Sequence, residues 1–155
     1  MMRRSTVAAL AVLALPMALW GCAPPPPPPA TLDLAITAGA DQNPGAGGAP
    51  TAVKIFLYQL ATTAKFERAD VFALTEREKA TLGEDLLASE SFVLAPGEKR
   101  SVAKEVKIGT TSLGVVVLFR DIDRATWRVM APVAKNGPTV LQLTTKGVVA
   151  TLAPR

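Results

Sequence analysis

The sequence predicts a mainly β fold, a sandwich of two sheets with a short helical segment inserted between strands. Three observations carry this reading. Apolar and polar residues alternate over short runs, clusters of Gly, Pro, Asn and Asp separate the runs, and a single stretch carries helix-start chemistry. Many short strands punctuated in this way pack as two layers around one core.

The 155-residue chain opens with Arg3 and Arg4 ahead of an apolar stretch from Val7 to Trp20. That stretch is interrupted by Pro16 and stops at Gly21-Cys22, short of the ~20 apolar residues that a spanning helix needs. It reads as the apolar region of an export signal. Leu19-Trp20-Gly21-Cys22 resembles the bacterial lipobox, with an aliphatic residue three before the cysteine and a small one just before it; Trp20 departs from the small residue usual there. Residues 1–21 are therefore expected to be a lipoprotein signal peptide and Cys22 to carry lipid. The plainer alternative, an ordinary cleaved signal, leaves an oxidisable thiol outside the cytoplasm. Each buried methylene contributes ~0.8 kcal/mol, and two or more acyl chains suffice for stable anchoring. Ala23 follows the cysteine where an aspartate would favour inner-membrane retention, so the expected location is the outer membrane. With its one cysteine acylated, the chain forms no internal disulfide and rests on its hydrophobic core.

Residues 22–30 form an acylated linker. Pro24 to Pro29 is an unbroken proline run, an extended helix rising ~3.1 Å per residue, or ~19 Å over its length. It is either a strut that lifts the domain off the headgroups or a linker of indifferent composition. The domain is expected over residues 31–155. From Thr31, Leu32, Leu34 and Ile36 alternate with Asp33 and Thr37, a half-buried strand. Gly39 to Pro50, with four glycines and two prolines, is an exposed loop. Thr51 to Leu60 is apolar on both faces, so something must cover each. The next segment supplies a cover: Phe66, Val71, Phe72 and Leu74 lead into Thr75-Glu76-Arg77-Glu78, which matches a capping box, and Gly83 ends the helix. Six further strands read from Ser89 to Leu94, Lys99 to Ile108, Leu113 to Phe119, Trp127 to Val133, Thr139 to Thr144 and Val148 to Leu152. Lys99, Ser101, Glu105 and Lys107 give the second of these a polar face fit for an edge, whereas Leu113 to Phe119 reads as central.

Composition removes most chemistry. Taking Arg3 and Arg4 from 17 basic residues leaves 15 against 13 acidic ones, a net +2 with no basic cluster and one Tyr, which is not a nucleic-acid surface. The chain has no His, which removes the usual general base, the Ser-His-Asp triad and most zinc sites. Gly45-Ala46-Gly47-Gly48 lies between strands, without the following helix that a phosphate cradle requires. Asp121 and Asp123 sit between Arg120 and Arg124, and Glu84-Asp85 beside a turn, which favours surface ion pairs over an acid-base dyad or a calcium site. Trp127 beside Arg128 opens a strand with alternating Val129, Ala131 and Val133, so it reads as core more readily than as a binding platform. No enzyme, cofactor or metal is expected.

Taken in order behind the lipobox, the residues resemble the outer-membrane lipoprotein family of the type VI secretion system, TssJ or SciN. The features are the opening strand, Asn43-Pro44, Val53 to Leu60 with its Tyr58-Gln59-Leu60 end, Phe66 with Phe72 and Leu74, Leu94-Ala95-Pro96-Gly97-Glu98, Val115 to Asp121, and Trp127-Arg128. The resemblance implies a transthyretin-like two-sheet antiparallel β-sandwich. It also implies a non-enzymatic role, binding the periplasmic C-terminal domain of the inner-membrane TssM-like component. In that family the contact is associated with the loop after the first strand, which here places Ala40, Asp41, Gln42, Asn43, Pro44 and Gly45 at the partner. The alternative is a ligand-binding or transport-accessory periplasmic lipoprotein, which requires polar groups converging on an apolar cavity between the sheets. An enzyme working without histidine would need perturbed groups in a cleft.

Overall fold

A computed structural model describes residues 24–155; the expected signal peptide and Cys22 lie outside the described residues. Eight strands follow in the expected order: β1 (Ala30–Ala38), β2 (Val53–Leu60), β3 (Leu86–Leu94), β4 (Lys99–Glu105), β5 (Ser112–Leu118), β6 (Arg128–Pro132), β7 (Gly137–Lys146) and β8 (Val149–Pro154). They form two four-stranded sheets, ordered β4-β1-β7-β8 and β3-β2-β5-β6. The polar strand β4 is an edge and β5 is interior, as their side-chain patterns predict. No described helix is long and apolar enough to cross a membrane.

One feature departs from an antiparallel sandwich. β1 pairs antiparallel with β4 but parallel with β7, so Leu34 stands beside Val102 on one side and Leu141 on the other. Antiparallel neighbours are joined by tight turns, whereas parallel ones need a long crossover. Here the whole of β2 to β6 separates β1 from β7.

Alternation fills the space between the sheets. Leu32, Leu34 and Ile36 from β1 meet Val53, Ile55 and Leu57 from β2, with Val115, Val117, Leu141 and Leu143 in the same core. The other face of β2 carries Phe56, Tyr58 and Leu60, covered by Phe66, Val71, Leu74 and Leu82 from the helical insert. Each such side chain, fully buried, contributes about 1.5–3 kcal/mol. Tyr58 sits between Phe56 and Phe66 and donates its hydroxyl to Leu74 O at 2.9 Å. Burial, with Glu78 nearby, pushes its phenol above the ordinary tyrosine range, so it stays a donor.

The insert consists of three short helices rather than one: α1 (Ala64–Arg68), α2 (Val71–Glu76) and α3 (Glu78–Leu82). The expected capping box at Thr75 is not formed. Asp70 caps α2 by accepting from Ala73 N at 2.9 Å, and that bond holds its carboxyl below the usual aspartate range. Thr75 lies within α2 and donates back to Val71 O at 2.9 Å, a competing local bond open to any threonine in a helix. Glu78 accepts from Ser89 Oγ instead of reaching back to a cap. Gly83 does end α3, at φ 57°. Arg128 Nη1 donates to Phe66 O and Ala69 O, both at 2.8 Å, which fastens the end of α1 to the second sheet. Trp127 is half-buried against both cores and under the Arg128 guanidinium, so the Trp-Arg pair braces the insert.

Candidate partner-binding loop

The segment between β1 and β2 crosses one end of the sandwich, and its first residues explain how a glycine-rich loop holds one shape. Gly39 has to be glycine for space: a Cβ there would lie 2.5 Å from Thr145 O and 2.7 Å from Asp41 Oδ1. Gln42 and Asn43 then turn inward. Gln42 Nε2 donates to Leu94 O at 2.9 Å, and its Oε1 accepts from Thr145 Oγ1 at 2.6 Å. Asn43 takes the left-handed conformation, φ 48°, which asparagine tolerates better than most residues. Its Nδ2 donates to Thr51 Oγ1 at 2.8 Å and Ala52 O at 2.9 Å, while its Oδ1 accepts from Arg120 N at 2.7 Å. The Asn43 amide donates to Gly147 O at 2.7 Å. Two buried amides thus pin the loop to β3, to the β7–β8 hairpin and to the connection after β5.

The six residues expected at a partner therefore divide. All lie at one end of the domain, but Gln42 and Asn43 are buried and spend their polar atoms inside the chain. Ala40, Asp41 and Pro44 are exposed and Gly45 is partly so. Beyond them Ala46 to Pro50 forms an exposed tip, closed by Gly45 N to Ala49 O at 2.8 Å and Gly48 N to Gly45 O at 2.9 Å. The neighbouring turn is similarly fixed. Glu98 accepts from Ala95 N and from Arg100, which hold its carboxyl below the usual glutamate range, and Gly97 N donates to Gly39 O at 3.3 Å.

Two contributors were not legible beforehand. Thr145 is buried where strand alternation alone gives no hint that its hydroxyl serves Gln42. Val149, 45 % exposed, lines an open cleft beside Asp41 with Lys146, Gly147 and Val148, and supplies apolar area that the loop lacks.

At the opposite end the linker enters. Pro29 O accepts from Gly137 N at 3.2 Å, and Pro27, Pro28 and Pro29 line a cleft with the β4–β5 connection. Half of the proline run thus lies along the domain, and its full length does not act as stand-off. The carboxylate pairs are surface features: Asp121 is 3.8 Å from Arg124 Nε, and Asp85 is 3.2 Å from Lys65 Nζ. Among the described residues, every buried side-chain nitrogen or oxygen has a hydrogen-bond partner. No such group is left waiting for a ligand between the sheets.

The family described as T6SS-SciN, type VI secretion lipoprotein, including VasD, EvfM and TssJ, matches residues 30–148. The crystal structure of the type VI lipoprotein TssJ1 from Pseudomonas aeruginosa is 35 % identical with a TM-score of 0.80, over 83 % of this chain and 98 % of that one. Serratia marcescens Lip, described as a membrane-bound component of the type VI secretion system, is 25 % identical with a TM-score of 0.74, over 82 % and 98 %. A chain of the structure described as the TssM C-terminal domain from EAEC is 28 % identical with a TM-score of 0.66, over 81 % and 99 %. None of the curated proteins matches in sequence.

Proposed function

Because the chain belongs to the type VI secretion lipoprotein family, we propose that it acts as a non-enzymatic tether of the secretion membrane complex. It is acylated at Cys22, sits on the periplasmic face of the outer membrane, and uses the β1–β2 loop to bind the periplasmic C-terminal domain of a TssM-like inner-membrane protein. The observation that carries this reading is the polarity of β1. Its nine residues run from the linker end to the loop, a span of about 26 Å at ~3.3 Å per residue. The proline linker and the loop are held at opposite ends of one strand. The similarity to a chain from a structure described in terms of TssM supports the choice of partner. The contact surface comprises Ala40, Asp41, Pro44 and the exposed tip, with Val149 as an apolar neighbour.

The test is calorimetric titration of residues 24–155 with that TssM-like domain. Deleting residues 40–48 would remove both buried pins, so the informative variant is Asp41→Arg, Ala46→Arg and Ala49→Arg, all at exposed positions. Loss of about 100-fold in affinity, near 2.7 kcal/mol, with unchanged thermal unfolding is expected. Undiminished binding would place the partner elsewhere. Cys22→Ser is expected to move the folded protein from the membrane pellet to the soluble periplasmic fraction, and a variant still in the pellet would refute acylation as the anchor.

A further inference from the structure

Ile108 is 101 % exposed, while most of the large apolar side chains among the described residues are covered. It is not on a loose segment. Lys107 N donates to the buried Gln59 Oε1 at 2.7 Å, Thr110 Oγ1 returns to Lys107 O at 2.7 Å, and Gly109 closes the turn at φ 91°. The fold thus presents an isoleucine outward on a turn braced from inside, at the end of the sandwich away from the β1–β2 loop.

The path of the chain says what lies opposite. Ile108 lines the same cleft as Pro27, together with Lys107, Lys135 and Glu105. Pro27 lies only five residues along the sequence from Cys22, a reach of about 16 Å at the polyproline rise. On the tether reading, on which this inference rests, the turn is therefore held within one short span of the acyl chains. Lys107 and Lys135 outnumber Glu105 among the charged residues of the cleft, and a basic rim around an apolar tip suits an anionic phospholipid surface. We propose that the Lys107-Ile108-Gly109 turn is a second membrane contact. Ile108 enters the headgroup layer, Lys107 and Lys135 face lipid phosphates, and the domain stands with its partner loop directed away from the bilayer.

Because Cys22 is the chain's one cysteine and is occupied by lipid on this reading, an introduced thiol labels selectively. The mature acylated protein carrying Asn136→Cys in the cleft, or Ala46→Cys at the far end, is tagged with an environment-sensitive fluorophore. It is then placed in phosphatidylethanolamine–phosphatidylglycerol vesicles. The expected result is at least threefold weaker quenching by aqueous iodide at position 136 than at 46, with that protection lost on adding the exposed substitution Ile108→Asp. Equal quenching at the two positions in vesicle-bound protein, or protection that survives Ile108→Asp, overturns the second contact and leaves the tether intact. Protein that fails to sediment with the vesicles overturns the acyl anchor, and this inference with it.

Discussion

Asn43→Ala lowers the stability of the domain by about 2–5 kcal/mol in urea unfolding. The alanine removes the side-chain partner of Arg120 N and Ala52 O, two part-buried bonds that contribute about 0.5–1.5 kcal/mol each. It also puts at φ 48° a residue without the short polar side chain that lets asparagine adopt the left-handed conformation, adding about 1–2 kcal/mol. Two companions separate these contributions. Asn43→Gly accepts the left-handed backbone and recovers the conformational part alone. Asn43→Asp keeps an acceptor for Arg120 N but loses both Nδ2 donations, to Thr51 and Ala52, and places a charge at a buried position. Because Asn43 is 2 % exposed, any loss of partner binding in these variants reflects a loosened loop. A cost below about 0.5 kcal/mol for Asn43→Ala would mean that the pins do not hold the loop.

Phe66→Ala costs about 3–5 kcal/mol, the range for removing a fully buried aromatic ring. Phe66 packs on Tyr58, with ring centroids 5.5 Å apart, and over the bare backbone of Gly114. A Cβ at Gly114 would lie 2.8 Å from Phe66 Cζ and 3.0 Å from Leu60 Cδ1. Gly114→Ala is thus expected to cost about 1–3 kcal/mol through overpacking. Combining Gly114→Ala with Phe66→Leu should cost less than the two separate losses together, because the smaller side chain relieves the clash. Strict additivity in thermal unfolding would show that the insert shifts as a body and that the ring does not lock against Gly114.

How much of this was legible depends on the range of the interaction. Alternation in Leu32, Leu34 and Ile36 and the two apolar faces of Val53 to Leu60 report burial directly, so strands and layers emerged from local pattern. The parallel β1–β7 pair did not, since no local signal distinguishes which remote strand will lie beside Leu34. The helix start departs from the local pattern because Thr75-Glu76-Arg77-Glu78 satisfies a capping box in letters, while Asp70, five residues earlier, makes the actual bond. The loop was legible as a loop through its glycines and prolines. Its composition concealed Gln42 and Asn43, whose burial depends on partners far along the chain, the Leu94 carbonyl, the Arg120 amide N–H and the Thr145 hydroxyl.

The position of β1, with a neighbour on each side, has a mechanical meaning. A pull exerted between an anchor at its start and a partner at its end runs along the strand, while the hydrogen bonds to β4 and β7 lie across it. Such a pull loads both ladders in shear, so many bonds share the force at once and none opens first as in a zipper. In the proposed tether role, sheet order thus gives a small domain without disulfides a route for bearing tension along β1.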